Sequence, residues 1–395
     1  MPLPLRGIRV LECTQAVAGP HCAMYLAELG ADVVKLEPPD GDRSRKGAPF
    51  TAGGLSLNYG MHNRNKRSIS LNLQTEAGRS LLHRLIPHFD VFIENFRPGV
   101  MARLGGGYEE LTRYRPDLIM LSVSGFGQTG PYAQRAANDK AVQATSGLMD
   151  ITGEPDGPPT KVGGSPGDYT ASLYGALAVV SAVLLRTQTG RGQYIDLALL
   201  DGLVSILSAQ VGEYMATGDL LRRTGNNMPH AAAVGCFATA DGYVFIAVGN
   251  DRQWANFCRA TGWEELIDRE GYRTRVERRK RFDEINGRVA GWMQSRSTAE
   301  VMKALVKANV SCGQVNTLAE MAHDPQIEHR GLLFQFDTQA WGKVPGVAMP
   351  FKSNEMTWVK AGAPPKIGEH NADVLGSMLG LTQKEVEQLG ADGVL

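Results

Sequence analysis

Hydrophobic and polar positions alternate between strand-like and helix-like segments at the start of the chain. The runs "GIRVLEC" (7–13) and "ADVVKLE" (31–37) are apolar in the manner of buried strands, and "GPHCAMYLAELG" (19–30) between them has helical spacing. A strand, a helix and a second strand in such a short stretch indicate a parallel crossover unit.

The same alternation continues to residue 217. Further strands are predicted at residues 67–73, 90–96, 118–127 and 193–197, separated by segments with helical spacing. Repeated alternation of this kind is typical of a doubly wound, mostly parallel sheet. The fold class is therefore α/β, with a Rossmann-like large domain.

The pattern changes after residue 218. A β-hairpin is predicted at 235–250, with Asp241-Gly242 at its turn, and three helical segments and a short strand follow. We expect three parts: residues 1–218 as the large domain, 225–325 as a smaller α+β domain, and 326–395 as a linker and C-terminal part. The last part is expected to return to the large domain and to end in a helix near 382–389.

One segment is unusually apolar: residues 169–185 carry no charge, and Asp168 lies directly before them. The run is shorter than the roughly 18–20 residues that span a bilayer, and it is rich in Ala, Ser and Gly. We predict a helix buried on all sides in the large domain and no membrane partner.

Charge and cysteine content narrow the functional classes. Lys plus Arg equals Asp plus Glu, with 41 of each, so no overall field favours nucleic acid. Five cysteines are scattered without CxxC spacing, and the N-terminus lacks the pattern of a signal peptide. These features favour a cytoplasmic protein with no metal site.

The first strand–helix turn, "ECTQAVAGP", argues against a dinucleotide cofactor. It contains only Gly19, whereas the dinucleotide fingerprint needs three spaced glycines. Glu37 ends the second strand where a ribose-binding acid would lie, but without the glycines it is interpreted as a solvated strand end. No Walker loop, HExxH or GxSxG motif is present either.

Basic residues cluster after two of the predicted strands. Arg64, Lys66 and Arg67 lie in "NRNKRS", and Arg97 and Arg103 lie in "ENFRPGVMARLG". Loops at the carboxyl ends of parallel strands bind ligands in open α/β sheets, and Arg and Lys there suit phosphates. The alternative interpretation is that these basic side chains are ordinary solvated charges and bind no ligand.

Asp168 in "GGSPGDYT" has two compatible interpretations. As the residue before a helical run, it is predicted to be an N-cap that bonds to free N–H groups. A carboxylate held ionised by a helix N-terminus could also act as a nucleophile towards an activated acyl group.

Several ordered stretches resemble one known family. They include "LGADVVKLEPPDGD", "NRNKRSISLNL", "VFIENFRPGVMARLG", "GDYTASLYGA", "TGRGQYIDLALLDG" and, further on, "GNNMPHAA" and "DPQIEHRG". Together they are similar to the class III CoA-transferases, which comprise the formyl-CoA transferase and carnitine/bile-acid CoA-transferase family. The resemblance spans nearly the whole chain.

This resemblance implies an enzyme that moves CoA between carboxylic acids through an aspartyl anhydride and an aspartyl-CoA thioester. The family's catalytic aspartate falls on Asp168. Coenzyme A enters as the transferred co-substrate, with no separate cofactor, and two chains form a homodimer like linked rings. The implied CoA contacts are Ala16, Val17, Ala18, Leu71, Asn72, Leu73, Gln74, Asn95, Phe96, Arg97, Arg103, Ala136, Ala137, Asn138 and Asp139.

Departures from the family pattern point to one branch. Formyl-CoA transferases have Gln in place of Val17, Arg in place of Pro38 and a glycine-rich loop that "TGNNMPHAAAVG" lacks. The chain looks closer to the transferases that use succinyl-CoA and dicarboxylates, for which Arg43, Arg45 and Arg64 are candidate partners of the distal carboxylate.

Two alternatives stay open. The related α-methylacyl-CoA racemases carry a "GHD" histidine where this chain has Ala137-Asn138-Asp139, so a racemase would lack one of its two bases. The other alternative is a catalytically idle CoA-binding homologue.

Overall fold

The computed structural model describes residues 3–228 and 231–395. The chain forms two compact units. The first comprises the residues up to Leu148, together with Lys161–Asp219 and Glu328–Leu395; the second comprises Met149–Thr160 and Leu220–Ile327. The family-like stretch "GNNMPHAA" includes positions 229 and 230 and therefore lies partly outside the described residues.

A six-stranded sheet forms the centre of the first unit. Its strands are β1 (Arg9–Cys13), β2 (Asp32–Glu37), β3 (Arg67–Ser70), β4 (Val91–Glu94), β5 (Ile119–Ser124) and β6 (Gln193–Ala198). All neighbours pair in parallel, in the order β3-β2-β1-β4-β5-β6, so the predicted parallel sheet is confirmed. The order reverses between β1 and β4, and ligands bind open sheets at such a point.

Helices cover both faces of this sheet. They are α1 (Ala18–Glu28), α2 (Leu57–Asn63), α3 (Glu76–Leu85), α4 (Val100–Arg103), α5 (Tyr108–Leu111), α6 (Asp139–Thr145), α7 (Pro166–Thr189), α8 (Leu199–Ile206) and α9 (Ser208–Thr217). Because side chains alternate along a strand, Val10 packs with α1, α7 and α8, whereas Leu11 packs with α3 on the opposite face.

The second unit has a three-stranded antiparallel sheet. Its elements are β7 (Val234–Ala238), β8 (Tyr243–Ala247), α10 (Asp251–Thr261), α11 (Arg275–Arg279), α12 (Phe282–Gln294), α13 (Thr298–Lys307), β9 (Cys312–Gln314) and α14 (Leu318–Ala322). The hairpin predicted around Asp241-Gly242 is β7 and β8. Helix α15 (Pro325–Arg330) contains the point where the chain re-enters the first unit.

The C-terminal part adds elements that the sequence pattern did not predict. These are the antiparallel pair β10 (Leu333–Thr338) and β11 (Gly342–Val347) and the helix α16 (Asn371–Leu379), followed by the predicted last helix as α17 (Gln383–Ala391). Val374, Leu375 and Val386 are buried in the core that α3 covers. The backbone N–H of Asn72 donates to the carbonyl of Val394, so the chain end also reaches the turn after β3.

Helix α7 differs from its predicted environment. One face, with Ala171, Gly175 and Val179, is buried against the sheet and α1. On the other face Leu173 is 53% and Leu177 61% exposed, so the prediction of burial on all sides is wrong for the single chain. By length and composition alone the helix could cross a membrane, but its inner face is a core face of the sheet.

Candidate active site

Asp168 lies in the first turn of α7 and is not its N-cap. The helix begins at Pro166 after Ser165, and the Ser165 side chain makes no capping bond. The backbone N–H of Gly167 instead donates to Asp139 Oδ1 at 2.7 Å, and that of Asp168 to the same oxygen at 3.4 Å. The predicted capping role of Asp168 is therefore wrong, and Asp139 fills it.

Asp139 is fixed from several sides. It opens α6, whose N-cap Asn138 accepts a hydrogen bond from the N–H of Ala141 at 3.0 Å. The side chain is 1% exposed, and its Oδ2 accepts from Gln143 Nε2 at 2.6 Å. Position 167 must be small, because a Cβ there would lie 3.1 Å from Asp139 Oδ1. The two carboxylates are thus held close together.

The pKa of Asp168 is raised to about 6, opposite to the direction expected from a helix N-terminus. Burial is the largest cause, and the neighbouring charge of Asp139 adds to it, while Lys140 and Arg43 act against both. No described residue donates a hydrogen bond or forms an ion pair with the carboxylate. At pH 7 about nine-tenths of the molecules then carry an ionised, partly desolvated Asp168.

A cavity of about 200 Å³ lies over Asp168, and many of the predicted CoA contacts line it. These are Ala16, Val17, Ala18, Asn95, Ala137, Asn138 and Asp139. Arg43 and Lys140 also line it, so two cations lie in the same cavity as Asp168. The lining residues lie at the carboxyl ends of β1, β4 and β5 and at the start of α6, and β1 and β4 flank the switch point of the sheet.

The other predicted contacts lie elsewhere on the same sheet edge. Residues 71–74 lie in the connection between β3 and α3. Leu71 and Leu73 are buried in the core beneath α3, and Asn72 and Gln74 alternate with them along this connection. Arg97, Arg103 and Ala136 are exposed, and Phe96 is partly buried. None of these residues lines the Asp168 cavity.

The loop 14–17 is held rigidly at the cavity wall. Gln15 and Asn95 exchange two hydrogen bonds, from Gln15 N–H to Asn95 Oδ1 at 2.9 Å and from Asn95 Nδ2 to the Gln15 carbonyl at 2.8 Å. Ala16 has a φ of 67°, a left-handed conformation that few non-glycine residues adopt. The Ala16 N–H also donates to Asp42 Oδ1 at 3.3 Å.

Buried ion pairs beneath this loop were not predicted from the sequence. Lys35 is fully buried, with Nζ 3.0 Å from Glu12 Oε1 and 3.1 Å from Asp42 Oδ2. Lys66 Nζ lies 2.6 Å from Glu12 Oε2. Lys66 is therefore neither a phosphate ligand nor a solvated charge, since it neutralises a buried carboxylate.

The structure also corrects the predicted environments of three other charged residues in this region. Glu37 is not a solvated strand end, because it is 1% exposed and forms an ion pair with Arg45. Arg64, which is 2% exposed, donates from Nε to Glu28 Oε1 at 2.6 Å. Arg67 forms ion pairs with two surface carboxylates at 2.7 and 2.8 Å.

A second cavity, of about 610 Å³, lies beside the first and was missed from the sequence. We call it the distal cavity. Its polar lining residues are His21, Tyr25, Asn58, His62, Arg64 and Tyr169. No spacing in the sequence relates these residues, because they come from α1, α2, its C-cap and α7.

Comparisons with known proteins agree with this architecture. The family model described as CoA-transferase family III matches residues 5–371. A CAIB/BAIF family protein of known structure from Brucella suis is 36% identical, with a TM-score of 0.87, and the alignment covers 96% of this chain and all of that one.

Three curated relatives are transferases named for succinate or succinyl-CoA. The succinate–glutarate CoA-transferase of Agrobacterium fabrum is 38% identical over 95% of this chain and 96% of its own length. The succinyl-CoA–D-citramalate CoA-transferase of Chloroflexus aurantiacus is 34% identical over 100% and 98%. The human succinyl-CoA:glutarate CoA-transferase is 33% identical over 99% and 90%. This chain belongs to CoA-transferase family III.

Proposed function

We propose that the protein transfers CoA from succinyl-CoA to a dicarboxylic acid, with Asp168 as the nucleophile. The observation that carries the proposal is the state of Asp168. Its carboxylate is partly buried, free of hydrogen bonds from described residues, and shares its cavity with the predicted CoA contacts around Ala16 and Asn95. A desolvated carboxylate with a raised pKa is more nucleophilic than one in water.

The reaction divides into two symmetrical halves. An Asp168 oxygen attacks the thioester carbon, the C–S bond breaks, and CoA leaves as a thiolate, while the acyl group stays on Asp168 as a mixed anhydride. The thiolate then attacks the Asp168 carbonyl carbon, which releases the donor acid and leaves an aspartyl-CoA thioester. The acceptor carboxylate attacks this thioester and expels the thiolate, and the thiolate attacks the new acyl carbon to restore Asp168.

Two cations close to Asp168 can stabilise the negative charges that develop during these steps. Arg43 and Lys140 line the cavity of Asp168, and both lower the pKa of its carboxyl, so their charges are felt at the reacting atoms. The same charges would stabilise the thiolate and the oxyanion of each tetrahedral intermediate. No proton has to move in the cycle, and the described residues that line the cavity include no histidine.

Among the three arginines considered for the distal carboxylate, Arg64 is the one that lines the distal cavity, where it already forms an ion pair with Glu28. Arg45 is already occupied by Glu37 and by the carbonyl of Pro365 at 3.0 Å. Arg43 lies at the reacting end, whereas Arg64 lines the neighbouring distal cavity. A dicarboxylate would therefore extend from Asp168 into the distal cavity, in keeping with the names of the relatives.

We also propose that the enzyme is an interlocked homodimer. The exposed face of α7, with Leu173, Leu177, Leu184 and Leu185, is an apolar surface that monomeric proteins seldom leave in water. Tyr214 and Met215, on α9, are further large side chains that are exposed. A mass near twice 42.7 kDa in light scattering would support the dimer, and a monomer at micromolar concentration would contradict it.

The decisive experiment is substitution of the nucleophile. Asp168→Asn should abolish transfer from succinyl-CoA to glutarate while leaving thermal unfolding unchanged. Asp201→Asn is the matched control, since Asp201 lies in the first turn of α8, outside the cavity. Mass spectrometry of the wild type after incubation with succinyl-CoA should show an adduct on the Asp168 peptide. Retained transfer in Asp168→Asn would refute the mechanism.

The same preparation separates the alternatives. Exchange of the α-hydrogen for deuterium without any acceptor acid would indicate a racemase. Binding of CoA without turnover on a broad panel of acids would indicate an idle homologue.

A further inference from the structure

Arg43 enters the cavity of Asp168 without a partner for its own charge. It lines that cavity, and its guanidinium group forms no hydrogen bond or ion pair with any residue that the structure describes. A long side chain that no contact holds can adopt many rotamers. Its place beside Asp168 therefore depends on the backbone beneath it. Arg43 is the first residue of a short 3₁₀ turn, Arg43–Lys46.

Asp42 caps this turn with a buried carboxylate. Its side chain is fully buried, and its Oδ1 accepts from the N–H and from the hydroxyl of Ser44, both at 2.8 Å. The same oxygen accepts from the N–H of Ala16 at 3.3 Å, in the loop that forms part of the cavity wall. One carboxylate oxygen thus joins the turn that carries Arg43 to the loop 14–17.

The second oxygen of Asp42 faces the buried cation of Lys35. Lys35 Nζ lies 3.1 Å from Asp42 Oδ2 and donates to the carbonyl of Thr14 at 2.8 Å. Burial alone would raise the pKa of Asp42, but Lys35 and the hydrogen bonds from Ser44 outweigh burial and hold that pKa below its usual range. Asp42 is therefore ionised at neutral pH, and both of its oxygens are fixed.

Arg45 anchors the same turn from its other side. Its Nε donates to Glu37 Oε2 at 2.8 Å, and its Nη1 donates to the Pro365 carbonyl at 3.0 Å. The backbone N–H of Asp42 donates to the same Glu37 oxygen at 2.9 Å. Arg43 thus lies between two anchored residues, and we expect the loss of either anchor to move the base of its side chain.

We propose that Asp42 is a positioning residue that holds Arg43 beside the nucleophile. Asp42 does not line the cavity of Asp168, whereas Arg43, which follows it in the chain, and Ala16, which it binds, both do. Asp42 therefore acts on the reaction through them and touches no reacting atom. This inference rests on the proposed CoA transfer, because Arg43 matters to the reaction only if negative charge develops next to Asp168.

The direction of a pH shift separates this role from a merely structural one. Burial raises the pKa of Asp168 most, Asp139 raises it further, and Lys140 and Arg43 lower it. When Arg43 moves away, the pKa of Asp168 rises and the acid limb of kcat/KM moves to higher pH. Loss of the negative charge of Asp42 itself can only act in the opposite direction, and loss of stability alone leaves the limb in place.

The test compares Asp42→Ala with Asp42→Asn in the full chain, with succinyl-CoA and glutarate as substrates. Both variants remove the charge that faces Lys35, so they share a similar loss of stability. Only Asp42→Asn keeps a cap, because Asn is as good an N-cap as Asp and Ala is a poor one. Asp42→Ala should lower kcat/KM at pH 8 at least about tenfold and move the acid limb up by about 0.5 in pH. Asp42→Asn should recover most of the activity and the wild-type limb.

Arg43→Gln supplies the second half of the test. It should move the acid limb in the same direction as Asp42→Ala does. Adding Asp42→Ala to Arg43→Gln should lower kcat/KM by less than about threefold more, because effects are not additive when one residue acts through the other.

Three results would overturn the inference alone. One is a folded Asp42→Ala that keeps the wild-type limb, and another is an equal effect of Asp42→Ala in the presence and the absence of Arg43. The third is an Asp42→Asn whose limb moves as far as that of Arg43→Gln, which decides the question even if Asp42→Ala does not fold. An unmoved limb in Arg43→Gln would do the same. Failure of the wild type to transfer CoA to any acid of a broad panel would instead refute the proposed function.

Discussion

The charge of Asp139 is expected to set the pH at which the enzyme becomes active. The pKa of Asp168 is raised from 3.8 to about 6, a rise that corresponds to about 3 kcal/mol. Burial is the larger cause, and Asp139 is the second. Asp139→Asn removes the charge and keeps an oxygen that can accept from the Gly167 N–H. We expect the pKa of Asp168 to fall by about one unit, or about 1.4 kcal/mol.

The assay is the pH dependence of kcat/KM, whose acid limb reports the free enzyme. The midpoint of that limb should move from about 6 in the wild type to about 5 in Asp139→Asn. At pH 5.5 the ionised fraction of Asp168 would then rise about threefold, so the activity ratio of variant to wild type should rise by a similar factor between pH 8 and pH 5.5.

The control is Gln143→Met, which removes the hydrogen bond to Asp139 Oδ2 but leaves the charge of Asp139. Its acid limb should stay near that of the wild type. A limb that keeps its midpoint in Asp139→Asn, or moves to higher pH, would refute the electrostatic role assigned to Asp139. Thermal unfolding of both variants shows whether α6 and α7 remain in place.

Three further predictions concern stability and assembly. Lys35→Met should lower the free energy of unfolding in urea by about 3–5 kcal/mol, because it leaves Glu12 and Asp42 buried without their cation. The control Lys46→Met removes an exposed ion pair and should lower the free energy of unfolding by less than about 1 kcal/mol; equal losses would contradict the prediction. Burial raises the pKa of Glu94 to about 7, so ionisation of this carboxyl destabilises the folded protein as the pH rises above about 4.5. The free energy of unfolding of Glu94→Gln should exceed that of the wild type by up to about 3 kcal/mol at pH 8 and by nothing at pH 4. A difference that does not depend on pH would count against this prediction. Leu177→Glu should prevent the proposed homodimer from assembling during folding, so that light scattering finds monomers, whereas an unchanged mass would place the interface elsewhere.

The sheet could be predicted because its signals are local. Each strand is a short apolar run, and each crossover helix lies between two of them, so β1, α1 and β2 follow directly from the first forty residues. In the missed pair β10 and β11, the sequence of β11, "GKVPGV", contains two glycines and a proline. Propensity alone does not mark such a segment as strand.

The active site was only partly predictable, because its interactions join distant parts of the chain. Asp168 looks like an N-cap in its own sequence, but the acceptor that reaches α7 belongs to Asp139, 29 residues earlier. Lys66 lies in a basic stretch, and only its neighbour Glu12 in space shows that the charge is internal. For the same reason no local pattern indicates the distal cavity.

Helix α7 shows a second feature that amino-acid composition alone does not predict. An apolar run without charges predicts burial but does not say what buries it. Ala171 and Val179 are covered by the sheet and α1, whereas Leu177 and Leu184 are exposed in the single chain.

The late return of the chain to the first unit bears on how the protein is made. Val374, Leu375 and Val386 fill one face of a sheet whose first strand emerges hundreds of residues earlier. The carbonyls of Gly393 and Val394 hold Asn72, in the turn that carries predicted CoA contacts. During synthesis, that face of the sheet can therefore close only after residues 374–386 have been added, and until then its apolar strands are exposed to aggregation.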